Sequence, residues 1–208
     1  MKFWSDFYDL VMPDLPGCPF AAADSALRQS AITFCEQSLA WQAIHPDISI
    51  AAGTAQYAFA SPEGTVVHAI SYAALNGEEI ESHGGEMSIT TSNWRRKSGT
   101  PQYVLGGATS LTLVPQPVAD GTLAMIVALK PSAASTGIIE DTLFNEYCEV
   151  IVHGALARLM LSPRKPYTNV QFAAYHQQQF TIKTAAAGVR VARSHTRAPL
   201  RTAILKRG

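Results

Sequence analysis

The fold turns on "DTLFNEYCEVIVHGALARLML", residues 141–161. Leu143, Tyr147, Val150, Ile151, Gly154 and Leu159 recur with the helical period and form one apolar stripe. Glu146 lies early and Arg158 late, as the helix macrodipole prefers. The spacing predicts a helix over the whole stretch. A glycine inside it costs about 1 kcal/mol relative to alanine. The expected reason for Gly154 is close approach of another backbone, so it is read as a helix-packing position.

Outward from this helix the texture changes on both sides. Toward the carboxy terminus "SPRKP" breaks the chain. Thr168 and Gln171 have the spacing of a capping box opening "NVQFAAYHQQQFTIKTAAA", and Gly188 is expected to close that helix. Toward the amino terminus lie short apolar runs punctuated by turn residues: "ISIAAG", "VVHAISYAAL", "SLTLVPQP" and "DGTLAMIVALKP". Alternation in the second and third, and the buried character of the fourth, predict strands. "NWRRKSGTPQYVLGG" reads as a loop with a short strand near Tyr103. Before them, "PFAAADSALRQSAITFCEQSLAWQ" (19–42) carries Phe20, Ala23, Leu27, Ala31, Phe34, Ser38 and Trp41 at steps of three and four, and His45-Pro46 is expected to end the helical segment. The expected fold class is α+β: a helical bundle formed from both ends of the chain (1–45 and 138–188), with a β-rich insertion at 46–132. Residues 1–188 form one domain in this reading, and 189–208 an extended arm.

The totals bound the class. The 208 residues are 47% apolar and 15% charged, which suits a globular protein with a real core. The 16 basic and 16 acidic residues cancel, but they are not mixed. Residues 1–150 hold 6 basic and all 16 acidic ones, while residues 151–208 hold 10 basic ones and no acid. Split charge points to an oriented partner or to self-assembly. Cys18, Cys35 and Cys148 are too scattered for a zinc site, a redox pair or a disulfide framework. The opening "MKFWSDFYDLVMPDLP" is interrupted by Asp6, Asp9, Pro13 and Asp14 and is not read as a signal peptide. The longest apolar run, "TLAMIVAL", is far short of the roughly 20 residues that span a bilayer. The expectation is a protein folded in cytoplasm, without a membrane partner.

Catalytic constellations are sparse. There is no G-x-S-x-G, H-E-x-x-H, Walker loop or dinucleotide fingerprint. Neither an enzymatic activity nor a cofactor is expected. "GEEIESHGGE" places His83 near Glu78, Glu79, Glu81 and Glu86, which could supply metal ligands, but an exposed acidic hairpin loop accounts for it better. His68 and His153 lie in apolar surroundings and read as half-buried packing residues. Trp94 beside Arg95, Arg96 and Lys97 could stack on and pair with nucleic acid, or form a solvated loop or a subunit contact.

The arm carries Arg190, Arg193, Arg197, Arg201, Lys206 and Arg207, interleaved with Val189, Val191, Leu200, Ile204 and Leu205. A purely solvating tail lacks so many aliphatics. Arginine forks spaced by apolar anchors suit a segment that docks in a partner's groove. A DNA-binding tail, the alternative, usually carries denser charge and less apolar content.

Several blocks taken in order carry a resemblance. "WSDFYDLVMPDLPGCP" (4–19), "ALRQSAITFCEQSLAW" (26–41), "LTLVPQP" (111–117), "MIVALKPS" (125–132), "LFNEYCEVIVHGALARLMLSPRKPYTN" (143–169) and "AAYHQQQF" (173–180) resemble the head-to-tail adaptor proteins of tailed bacteriophages. The resemblance implies a structural virion protein at the head–tail interface, made in host cytoplasm. It further implies a homo-oligomeric ring, a dodecamer, under the portal protein, with tail or neck proteins on its other side. DNA would pass through the channel without sequence-specific binding. Residues 189–208 would be the portal-docking arm, with Arg190, Arg193, Arg197, Leu200, Arg201, Ile204, Leu205, Lys206 and Arg207 as its contacts.

Overall fold

A computed structural model describes residues 2–83, 97–134 and 138–193. The chain opens with β1 (Lys2–Phe3), passes through 3-10 turns at Trp4–Phe7 and Met12–Asp14 that flank α1 (Tyr8–Val11), and enters α2 (Phe20–Ser38). The strands β2 (Gln42–Ile50), β3 (Gln56–Ala58), β4 (Thr65–Leu75), β5 (Glu78–Glu79) and β6 (Glu81–His83) follow. After them come β7 (Ser98–Gly99), β8 (Tyr103–Gly106), β9 (Ser110–Val114), β10 (Gln116–Pro117), β11 (Gly121–Pro131) and β12 (Ile138–Ile139). Helices α3 (Asp141–Met160) and α4 (Val170–Ala192) complete the described chain. Two compact units result: Met1–Ala40 with Gly137–Gly208, and Trp41–Thr136.

The architecture is β-rich. About 31% is strand, and the described residues form two four-stranded sheets and two paired ribbons against four helices. This overturns the expected helical bundle from both ends with a β insertion. The reason lies at the presumed helical ends. The chain starts as a strand, Lys2 and Phe3 pairing antiparallel with Ile139 and Ile138. Residues 4–14 run through short 3-10 and α turns in succession, and Pro16 with Gly17, at φ 75°, brings them to an end. Leu39, at φ 54°, stops α2. His45-Pro46 then lies inside a strand instead of ending a helix. β2 is an edge strand, where a missing N–H is tolerated. Its register slips between Leu123 and Met125 of β11, so Pro46 and Asp47 fall in a bulge.

In the second unit one sheet runs β2-β11-β4-β5 and the other β3-β9-β8-β6. β11 is central to the first, antiparallel to both neighbours. Its Leu123, Met125, Val127 and Leu129 share one face by the two-residue period, and all are buried. They join Val104, Leu111 and Leu113 of the second sheet in one core. Asn76 and Gly77, both at positive φ, connect β4 to β5 as the two-residue turn that Asn-Gly favours. The Asn76 carboxamide oxygen also accepts a hydrogen bond from Thr122 N at 2.8 Å, which ties the turn to the start of β11.

In the first unit α2 and α4 both pack on α3. Asn169 caps α4, its side chain accepting from Phe172 N at 3.2 Å. The expected Thr168–Gln171 box is absent because the Thr168 hydroxyl donates to Ser162 O instead. Gly188 does not end the helix either. α4 continues to Ala192, so residues 189–192 are helical and not part of an extended arm. A Cβ at Gly188 would meet Ser38 Cα at 3.6 Å, an ordinary contact. Gly188→Ala is therefore expected to raise stability by about 1 kcal/mol through helix propensity alone. A thermal melt of the variant checks this, and a lower melting temperature would contradict it.

Candidate assembly surface

The first unit is built around Gly154. The Ser30 hydroxyl of α2 donates to Ile151 O of α3 at 2.7 Å, fully buried. A Cβ on Gly154 would sit 2.1 Å from that hydroxyl oxygen and 2.7 Å from the Phe180 ring of α4. Three helices thus meet where one side chain is missing.

α4 buries Ala173, His176, Phe180, Thr184 and Ala187, a stripe of three- and four-residue steps. A second stripe is left outside. Phe172 (58% exposed), Tyr175 (50%), Ile182 (55%) and Val189 (45%), with Gln179 and Ala186 between, repeat at alternating three- and four-residue steps. That is the seam spacing of a helix made to pack against another element. It runs about 25 Å at 1.5 Å per residue. At its head lies an open groove of about 410 Å³ lined by Asp14, Tyr167, Phe172, Tyr175 and His176, among others.

The segment that carries the stripe is basic in sequence. Residues 162–193 contain Arg164, Lys165, Lys183, Arg190 and Arg193 and no acid. Lys183 pairs with Glu149 of α3, and Arg190 lies 3.6 Å from Glu146 and over the Tyr147 ring at 5.9 Å. Beneath the stripe, His153 Nδ1 and His176 Nδ1 are 2.8 Å apart. Two such nitrogens bond only if one carries a proton and the other does not. His153 also faces Lys183, Glu149 and the Tyr175 ring edge, and His176 faces Asp14. Burial, first of all, holds both imidazoles below their ordinary 6.5, and for His153 the cations add to it. The sign follows. Both groups bind protons more readily unfolded, so their contribution is complete above 6.5 and is lost as pH falls through the lowered folded values. The melting temperature should fall between pH 7.5 and about pH 5 in the wild type, and less so in His153→Gln. Parallel pH profiles would contradict this.

The sequence candidates fall as follows. Arg190 lies in the last turn of α4 and Arg193 is its C-cap residue. Arg197, Leu200, Arg201, Ile204, Leu205, Lys206 and Arg207 lie outside the described residues, as do Trp94, Arg95, Arg96 and Glu86. Lys97 is exposed just before β7. His83 stands in β6, 3.5 Å from Glu81 and edge-on to Tyr103. Among the described residues no group of three His, Cys, Asp or Glu could hold a metal ion. His68 is exposed on β4, which corrects its reading as a half-buried packing residue. Cys18 and Cys35 are buried, and burial pushes the Cys35 thiol up to about 12, far from a reactive thiolate. His176 and the outer stripe of α4 were not singled out from sequence. The three-and-four repeat of Phe172, Tyr175, Gln179, Ile182, Ala186 and Val189 was the available signal.

An apolar stripe thus lies exposed along α4, with Lys183 and Arg190 beside it paired to Glu149 and Glu146 of α3. The family model described as SU10 adaptor protein matches residues 4–203, and the chain belongs to that family of phage adaptor structural proteins. As such it is a component of the virion. No curated protein matches the chain. Among the described residues no helix is long and apolar enough to cross a membrane.

Proposed function

We propose that the protein joins the capsid to the tail: copies form a ring beneath the portal protein, tail or neck proteins take the other side, and DNA passes through the channel. The family match over residues 4–203 carries this reading. The charge polarity supports it, since an arm with no acid after Glu149 suits an acidic groove on a partner. The arm supplies the portal contact through Arg197, Leu200, Arg201, Ile204, Leu205, Lys206 and Arg207. Arg190 and Arg193, at the end of α4, set where it starts.

Co-sedimentation with the portal ring of the same genome tests this. The full-length protein is compared with one ending at Arg193, a cut that leaves α4 whole. The full chain should pellet with the portal, and the shortened one should bind at least about 10-fold more weakly, the loss of about 1.4 kcal/mol. Equal binding by both would overturn the arm's role. DNA binding that weakens steeply with salt, with no portal binding, would favour a nucleic-acid-binding protein instead.

A further inference from the structure

We propose that the outer stripe of α4 in one copy is covered by the amino-terminal segment of a second copy, residues 3–24, in a head-to-tail contact. The inference rests on the ring reading above and names the surfaces that would build such a ring.

The occupant follows from charge and from what each surface leaves uncovered. The α4 stripe offers Phe172, Tyr175, Ile182 and Val189; the charged residues of its own segment, 162–193, are all basic, and these five cations outnumber the carboxylates that face the segment from other elements, Glu146, Glu149 and Asp14. The chain's own residues 194–208 are basic too and carry no acid, so like charge disfavours them as the cover. A second α4 would set basic against basic in the same way. The amino-terminal segment is the complement. It exposes Phe3 (56%), Leu10 (47%) and Phe20 (59%). Its charges from residue 3 to 24 are Asp6, Asp9, Asp14 and Asp24, all acidic. Tyr8 stacks on Phe20 at 4.9 Å and donates to Asp24 at 2.7 Å, so part of this surface is already stiffened. Little order is left to be imposed on binding.

The two surfaces differ, so the contact is heterologous. One copy's stripe takes the next copy's amino-terminal segment, whose own stripe remains open. Such contacts close into a ring when the rotation allows and extend into filaments when it does not. A contact between two α4 stripes would instead stop at a dimer.

Ile182→Glu and Leu10→Glu test the assignment, each at an exposed position where folding should survive, which a thermal melt checks. Binding to the portal ring is titrated for cooperativity, and sedimentation velocity follows the free proteins in parallel. Wild type should fill the ring cooperatively. Each variant should bind with a Hill coefficient of about 1. Mixed without portal, the two variants should give dimers and nothing larger, because each retains one intact surface. Wild-type assembly by Leu10→Glu would overturn the proposal, and loss in Ile182→Glu alone would point to α4-to-α4 pairing. Wild type that assembles in solution but ignores the portal would leave this contact standing and remove the adaptor reading. Wild type that assembles in neither setting overturns both.

Discussion

Gly154→Ala is expected to destabilise the first unit by about 3 kcal/mol, the upper range for overpacking a close-packed site. Helix propensity alone would favour alanine by about 1 kcal/mol, so the clash has to outweigh a real gain. It does so because the added Cβ stands 2.1 Å from Ser30 Oγ and 2.7 Å from the Phe180 ring. The hydroxyl can escape only by giving up its bond to Ile151 O. The ring, 5% exposed, has nowhere to go without moving α4. For a chain of this length the melting temperature should drop by about 9 °C. Ser30→Ala in the same molecule should recover part of the loss, and the double variant should lose less than the sum. A Gly154→Ala protein as stable as wild type would show that the three helices do not need this contact. Its opposite sign from Gly188→Ala makes the pair a test of geometry, since both glycines lie in helices.

Phe7→Ala is expected to cost about 3–5 kcal/mol, the range for removing a buried aromatic ring. Phe7 is fully buried, edge-on to Phe144 of α3 at 4.9 Å and stacked on Trp4 at 5.9 Å. It fixes the amino-terminal turns to the helix beneath, so its loss should also speed proteolytic cutting of that segment. Leu10→Ala, at a side chain 47% exposed, should change stability by no more than about 0.5 kcal/mol. A Phe7→Ala protein within about 1 kcal/mol of wild type would mean that the segment is held elsewhere. The contrast matters for the proposed contact between copies, because Phe7 holds the surface that Leu10 presents.

Elements whose burial follows one simple period could be read from sequence. α3 was expected at 141–161 and lies at Asp141–Met160, with every residue of its predicted stripe buried. β11 was expected as a buried strand and is the central one of its sheet. The stripe of α2 from Ala23 to Ser38 is buried, although Phe20 at its start is exposed. Local rules failed where a neighbour changed their outcome. Pro46 reads as a helix stop, yet an edge strand with a bulge accommodates it. Gly188 reads as a helix end, yet α4 passes through it alongside the last turn of α2. The fold class went wrong for the same reason, because strands at Lys2 and Gln42 replaced helix that proline and glycine signals had only seemed to bound. The family could be recognised because the order of several blocks survives without any single signature.

The sequence by itself determined the long helices α2 and α3, the strand character of the middle of the chain, the division of charge, and membership of the adaptor family, whose model matches residues 4–203. These follow from period, composition and block order, all of which are local or additive along the chain. Only the tertiary structure decided which of two apolar stripes on α4 is buried, that His153 meets His176 across 23 residues, and that Gly154 is where three helices touch. Those outcomes depend on contacts between distant residues, and a helix with two apolar faces has no local reason to bury one and not the other. The choice was made by the partner helices, and it left the second face exposed.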